Sequence, residues 1–371
     1  MHSDCVASWM NPLMPPIEPC GSLQLEYKDT VIHAPGFEDR TMAIARCVGS
    51  STAAHAILLD YLPFNPDNRL RAVRDALCGR GIEVSVDDIL LYNRFAPGDF
   101  EERLRRRLRH LGARRVFIDV SSMSKLAIML VLNVCRSLAL HVTILYTEAE
   151  EYGPSESEFQ NARAKNEIHR PSLQVFTGVH GVVRVDSLAS VAMQGQPTAA
   201  IVFMSFNDAL TQVLLNTVYP SRLFLINGSP PSHRWRESAI AWIHDQVRRE
   251  WEEDNPTKSN SEGTVALPGR SLSTLEYRDS VSMLIELYWL LSDRYRILLA
   301  PAGSKMQTVG CSLAKALHPD IHIEYPSPEG FTKEYSSGVG AQWMISFGEL
   351  SDRLQAISRA ERREYLEIRS Q

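Results

Sequence analysis

Two short polar pairs, Ser124-Lys125 and Ser304-Lys305, carry the residue types for anion chemistry. Each stands where a short apolar run gives way to a long run of helix formers. A helix N-terminus offers backbone N–H groups without intrahelical partners and a partial positive charge. Lys is mildly unfavourable there for the helix itself. An anion docked on the N–H groups reverses that balance. The pairs therefore point to two corners that hold phosphate or carboxylate. The competing reading is that each Lys bends back to a nearby carboxylate, such as Asp119 in the first half. The second half has Ala300 near the corresponding strand end, so that reading is weaker for Lys305.

Other polar residues fall at the same kind of strand-to-loop junction. The candidate ligand-binding set in the first half is Glu38, Asp39, Arg40, Asn68, Arg69, Asp119, Ser122, Ser124 and Lys125. In the second half it is Asn207, Asp208, Arg234, Ser304 and Lys305. Catalytic residues are not assigned. Glu38 and Asp39 have the chemistry of an acid–base pair, but adjacent loop carboxylates are usually just solvated. Ser121, Ser122 and Ser124 have no His placed near them by the sequence, and Ser122 reads as a helix N-cap. His33, His55, His180 and His233 lack metal spacing, so no metal is expected. Neither loop is a P-loop, and no Gly-x-Gly-x-x-Gly follows a strand. No cofactor is expected.

The elements that position these residues are legible. Arg114–Asp119 is a strand, Val120–Lys125 a loop, Leu126–Ala139 a helix and His141–Tyr146 the next strand. Both strands are almost wholly apolar, as in a parallel sheet covered on two faces. The same unit recurs in Tyr295–Ala300, Pro301–Lys305, Met306–Leu317 and Ile321–Tyr325. Earlier features also match in order. Gly36–Asp39 lines up with Ser205–Asp208, and a proline-containing loop with arginine follows the second strand of each half. Self-similarity at a fixed offset indicates duplication. The expected fold is α/β, with two tandem Rossmann-like lobes, mostly parallel sheets and a pseudo-two-fold relation. Asp29–Tyr146 and Ala200–Tyr325 should share one strand order.

The expected boundaries are an irregular extension over 1–21, lobe one over 22–197, lobe two over 198–348 and a charged helix over 349–371. Lobe one includes a linker and β-hairpin insertion at 148–197, with the hairpin at Leu173–Val185. A short strand is expected at Gly263–Leu267. Met1–Gly21 and Ser155–Pro171 should be weakly protected, because they offer few apolar groups to bury.

Composition excludes several function classes. The net charge of −5 gives no global attraction to nucleic acid or membrane. The arginines of Arg103–Arg115 follow Glu101 and Glu102 and read as a solvated helix face. The six cysteines show neither CxxC nor zinc spacing, which fits a reducing cytoplasm. No signal peptide is seen at the N-terminus. Arg136 interrupts the best apolar run before it could span a bilayer.

A strand ending in Asp, a small-residue loop with Ser and Lys, and an apolar helix together resemble the ligand-binding signature of CARF domains. The residues that carry the resemblance are Asp119–Lys125 and Pro301–Lys305. CARF modules are similar also in using the loop after the first strand, here Gly36–Arg40 and Ser205–Asp208. The resemblance implies a sensor of nucleotides in CRISPR-related antiviral systems of prokaryotes, with two Rossmann-like copies sharing one pocket. In this chain both copies would be in tandem. It departs from the family pattern at Ser121-Ser122-Met123, where a double glycine is usual, and it shows no HEPN-like effector segment. The expected partners are a nucleotide or other anionic small molecule and a protein encoded nearby. The alternatives are a nucleotide-cleaving hydrolase on the same scaffold and a protein-binding scaffold subunit.

Overall fold

The computed structural model describes residues 9–50, 54–167, 173, 175–255 and 271–369. The expected strand at Gly263–Leu267 lies outside these residues. The chain divides into two compact units. The first is Asn11–Tyr152 joined by Ser336–Arg363, and the second is centred on Gly153–Tyr335.

The strands of the first unit are β1 (Glu18–Pro19), β2 (Thr30–His33), β3 (His55–Leu62), β4 (Ile89–Asn93), β5 (Arg115–Asp119), β6 (His141–Thr147) and β7 (Glu151–Tyr152). Strands β2 to β6 form a parallel sheet in the order β4-β3-β2-β5-β6. The helices between them are α1 (Ala43–Cys47), α2 (Leu70–Cys78), α3 (Phe100–Leu111) and α4 (Lys125–Ser137). Helix α4 buries every residue from Leu126 to Leu132, as its unbroken apolar run requires. Val31, Leu58, Phe117 and Leu145 from the sheet meet Ile44, Val73 and Leu77 of α1 and α2 in one core.

The second unit opens with α5 (Glu156–Ala164). Its strands are β8 (Val179–Val183), β9 (Thr198–Phe203), β10 (Arg222–Ser229), β11 (Ser271–Ser273), β12 (Arg296–Ala300), β13 (His322–Ile323) and β14 (Tyr325–Pro328). Its remaining helices are α6 (Asp208–Val218), α7 (Trp235–Asp254), α8 (Tyr277–Leu291) and α9 (Lys305–Leu317), while α10 (Leu350–Arg369) at the chain end belongs to the first unit as far as Arg363. The parallel sheet of the second unit runs β11-β10-β9-β12-β13. Numbered by chain order within each unit, both parallel sheets read 3-2-1-4-5. That is the doubly wound Rossmann-like order, and α4 and α9 each follow strand four.

Several boundaries differ from those expected. The segment 153–197 belongs with the second unit, and 336–348 with the first. The reason is antiparallel pairing across long sequence distances. The returning strand Gln342–Glu349 adds to the edge of β6, and the Trp343 indole N–H donates to Glu148 at 2.9 Å. Leu173–Val185 is not a hairpin. Its strand β8 pairs with β14, because no tight-turn dipeptide closes it locally. The 1–21 extension, read as mostly irregular, also covers a sheet edge, since β1 pairs with the returning strand and Met14 is buried. Ser155–Pro171 contains α5, started by a Ser155–Glu158 capping box. The third strand of the first unit begins at Ile89, while Glu83 makes only an isolated bridge to His55.

Candidate functional site

Ligands of doubly wound sheets sit beyond the carboxyl ends of the strands, where strands one and four diverge. In the first unit those ends are His33 and Asp119, which are register partners in neighbouring parallel strands. His33 Nδ1 lies 3.0 Å from Asp119 Oδ2, although the ring is not aligned for a good hydrogen bond. Asp119 Oδ1 accepts from the Ser121 N–H at 2.9 Å and from the Ser121 hydroxyl. Burial pushes the Asp119 carboxyl up, but His33 and the Ser121 donors outweigh it, so its pKa falls below the ordinary value.

Beyond His33 the network continues inward. His33 Nε2 contacts Thr41 Oγ1 at 3.1 Å, and Thr41 Oγ1 lies 2.9 Å from Ser122 Oγ. The Gly36 N–H donates to Thr41 Oγ1 at 3.0 Å, and the Ser122 hydroxyl donates to the Ala34 carbonyl at 2.8 Å. An Asp–His–hydroxyl sequence is the layout of a nucleophile relay. Here the hydroxyl is fully buried and already engaged on three sides. The network braces the loop after β2 against the loop after β5.

Glu38 and Arg40 form a second buried brace. The Arg40 guanidinium reaches Glu38 at 2.6 Å, the Thr147 carbonyl at 3.2 Å and the Tyr152 hydroxyl at 3.1 Å. The Ser336 hydroxyl donates to Glu38 at 2.6 Å. These contacts and their burial take Glu38 and Arg40 out of a ligand's reach in this conformation. Asp39 and Arg69 are more exposed and pair at 2.7 Å. The Arg69 hydrogen bond, helped by the Gly338 N–H, holds the Asp39 carboxyl below its usual range. The Arg69 N–H donates to the Gly36 carbonyl at 3.2 Å, so the loop carrying Asn68 and Arg69 abuts the loop after β2.

At the start of α4 the N-cap is Ser124, not Ser122. Its hydroxyl accepts from the Ala127 N–H at 3.2 Å. Ser122 turns away to Ala34, which is why it cannot cap. The Ser124 N–H donates to the Tyr61 hydroxyl at 2.7 Å, and burial pushes the Tyr61 pKa up to about 12. Lys125 is half-buried at the first helical position. The structure thus gathers Asp39, Asn68, Arg69, Ser124 and Lys125 at the carboxyl edge.

The matching corner of the second unit is furnished differently. Ser304 caps α9 and forms a capping box with Gln307. The Gln307 N–H donates to Ser304 Oγ at 3.0 Å, and the Ser304 N–H to Gln307 Oε1 at 2.8 Å. The Ser304 hydroxyl donates to the Thr274 carbonyl at 2.6 Å. Asn207 caps α6 through the Ala209 N–H at 2.6 Å, and Asp208 is buried. Arg234 is exposed just before α7, while its neighbour Arg236 turns inward to the Gly153 and Pro154 carbonyls. Helix α5 lays Phe159 against Phe206, Trp235 and Trp242, with ring centroids 5.6 to 6.5 Å apart. That aromatic cluster packs on the loops after the unit's first two strands. Asn207 and Arg234 therefore flank an internally packed edge.

Sequence reasoning missed His33 and Thr41. Spacing carried no signal for them. The strand order did, because it makes the last residues of strands one and four neighbours. Among the described residues no group of three or more His, Cys, Asp or Glu could hold a metal ion. Among them, too, no helix is long and apolar enough to cross a membrane.

No protein-family model matches the chain, and no curated protein matches it. Among solved structures it is similar to a universal stress protein from Archaeoglobus fulgidus DSM 4304. The identity is 9% and the TM-score 0.21, over 81% of this chain and 97% of that one.

Proposed function

We propose that the first unit binds a nucleotide or another phosphorylated small molecule at the carboxyl edge between β2 and β5, as a cytoplasmic sensor in a prokaryotic defence or stress system. One observation carries this reading: the cation Lys125 opens a helix at the switch point of a 3-2-1-4-5 sheet. Arg69 and Asn68 flank the same edge and supply donors for phosphate oxygens. The buried braces beneath hold the edge loops in place before any ligand arrives, which lowers the ordering cost of binding. The CARF resemblance, carried by Asp119–Lys125, agrees with a nucleotide of cyclic or linear form. A protein encoded nearby would receive the signal.

The test is calorimetric titration with linear and cyclic nucleotides, using the wild type, Lys125→Ala and Lys305→Ala. Lys125→Ala should weaken binding by about 1–3 kcal/mol, the scale of a lost charge-assisted hydrogen bond. Lys305→Ala should leave it unchanged, because Lys305 belongs to the second unit. Binding that is unchanged in Lys125→Ala, or no binding of any phosphorylated compound, refutes the proposal. Turnover of the bound nucleotide would move the reading to a hydrolase.

A further inference from the structure

Cys20 and Cys47 are separated by one strand and one helix in sequence, yet they line the same small pocket. Asp119, Tyr146, Thr147 and Trp343 complete much of its wall. Both cysteines are half-buried and unpaired as disulfides. The chain segments that carry them are fastened together. The Leu23 N–H donates to the Cys47 carbonyl at 2.8 Å, and the Gly49 N–H to the Leu23 carbonyl at 2.8 Å. Leu23 and Val48 form a parallel bridge. The Cys20 N–H is tied to the Gln342 carbonyl at 2.8 Å. Each thiol donates to a backbone carbonyl, Cys20 to Gly21 at 3.4 Å and Cys47 to Ala43 at 3.4 Å. By contrast, Cys135 and Cys311 are sealed in apolar helices, and Cys78 stands exposed at the end of α2.

We infer that Cys20 and Cys47 are a modification site: a dithiol that a peroxide converts to a reversible disulfide, closing the loop that contains β2 and the edge residues Glu38 to Thr41. The neighbouring Cys47 thiol lowers the pKa of Cys20, against burial and the nearby Asp119 charge. The neighbouring Cys20 raises Cys47, with burial adding to it. Cys20 is therefore the attacking thiolate, since the thiolate is the nucleophile. Its sulfur attacks one peroxide oxygen and the O–O bond breaks. The departing hydroxide takes a proton and leaves as water, and Cys20 becomes a sulfenic acid. That step removes the partner that kept Cys47 protonated. Cys47 then gives up its proton and attacks the Cys20 sulfur, and the S–O bond breaks to release the second water. Two thiols and one hydrogen peroxide give one disulfide and two waters. The peroxide gains two electrons and each sulfur loses one. Thiol reductants reverse the change by exchange.

The experiment uses the full-length protein treated with one equivalent of hydrogen peroxide, then digested without reductant for mass spectrometry. The expected product is a cross-link joining the Cys20 and Cys47 peptides, two hydrogens lighter than the reduced pair and lost on adding dithiothreitol. In Cys47→Ser the expected product is a sulfenic acid at Cys20, trapped by dimedone. In Cys20→Ser neither the cross-link nor a trapped sulfenic acid at Cys47 should form. The folded state of each variant is checked by its thermal melt, and the wild-type cross-link alone decides the matter if a variant fails to fold. Cross-linking of Cys20 with Cys78 at the same yield, or sulfinic acid at Cys20 without any cross-link, would overturn the inference.

Discussion

Replacing Asp119 by Asn separates a structural carboxylate from a ligand-binding one. Asp119 is 1% exposed, with His33 facing one oxygen and Ser121 donating twice to the other. Asn keeps the shape and one acceptor oxygen, so the Ser121 contacts survive. It removes the charge facing His33 and sets an NH₂ group against a ring nitrogen. Breaking one partner of a buried pair costs about 3–5 kcal/mol, because the other is left uncompensated. The retained Ser121 contacts put Asp119→Asn at the low end, about 3 kcal/mol in urea denaturation at pH 7. In a double-mutant cycle with His33→Asn the two losses should be clearly less than additive. The pH dependence has a fixed sign. A carboxyl whose folded pKa is depressed stabilises the fold above its unfolded value of about 3.9, and loses that contribution as pH falls through the folded value. The gap between wild type and Asp119→Asn should therefore close in acid. A variant as stable as wild type at pH 7 refutes this account. If that variant also lost nucleotide binding, Asp119 would be a ligand contact after all.

Other perturbations test the packing. His244 is buried, and a carbonyl can only accept, so its Nδ1–H donates to Ile240 and its Nε2 accepts from the Thr211 hydroxyl. Burial lowers its pKa to about 4, so the unfolded chain takes up the proton first. Stability from this group is complete above about pH 6.5 and should fall by about 3 kcal/mol by pH 4. His244→Gln should lose less over that range in urea melts at stepped pH, and equal slopes would refute the argument. Gly310→Ala should gain about 1 kcal/mol from helix propensity. Its Cβ, however, would stand 2.7 Å from Ser280 Cβ and 2.8 Å from the Tyr277 carbonyl. Overpacking of about 1–3 kcal/mol should win, and a raised melting temperature would show that it does not. Phe159→Ala should cost about 3–5 kcal/mol and expose α5 to amide exchange. An unchanged exchange pattern would mean that α5 is held by something else.

The two halves were legible because their central strands and helices obey strong periodicities. The strand-four unit could be read directly from Arg114–Ala139, and the repeat at Tyr295–Leu317 fixed its counterpart. What escaped notice lay in short or long-range pairings. β1 pairs through only two residues, too few for any alternation to show. The returning strand is specified by its partner β6, far away in sequence, rather than by a local turn. Helix α5 was hidden by its polar composition, although Ser155, Glu158 and the buried Phe159 and Ala162 spell a capped helix with one apolar stripe. At the site, residue type was read correctly as polar, but burial was not. Glu38 and Arg40 neutralise each other inside the protein, and no single-sequence pattern separates that from a pair offered to a ligand.

The small-residue loop of the second unit shows how internal packing can imitate a binding signature. Gly303 stands immediately before the cap Ser304, where a phosphate cradle would want a glycine. A Cβ there would meet Gln307 Oε1 at 2.3 Å and Phe203 Cβ at 3.0 Å. The glycine is thus required by the capping box of α9 and needs no ligand to explain it. In the first unit the same position is Met123, fully buried, with Ala127 in place of Gln307. That corner caps α4 through Ser124, and the Tyr61 hydroxyl takes the Ser124 N–H as Gln307 Oε1 takes that of Ser304. Glycine in such a loop is ambiguous between making room for a ligand and making room for the protein's own cap. The neighbouring side chains resolve the ambiguity here: Gln307 in one half and Tyr61 in the other take the N-cap N–H.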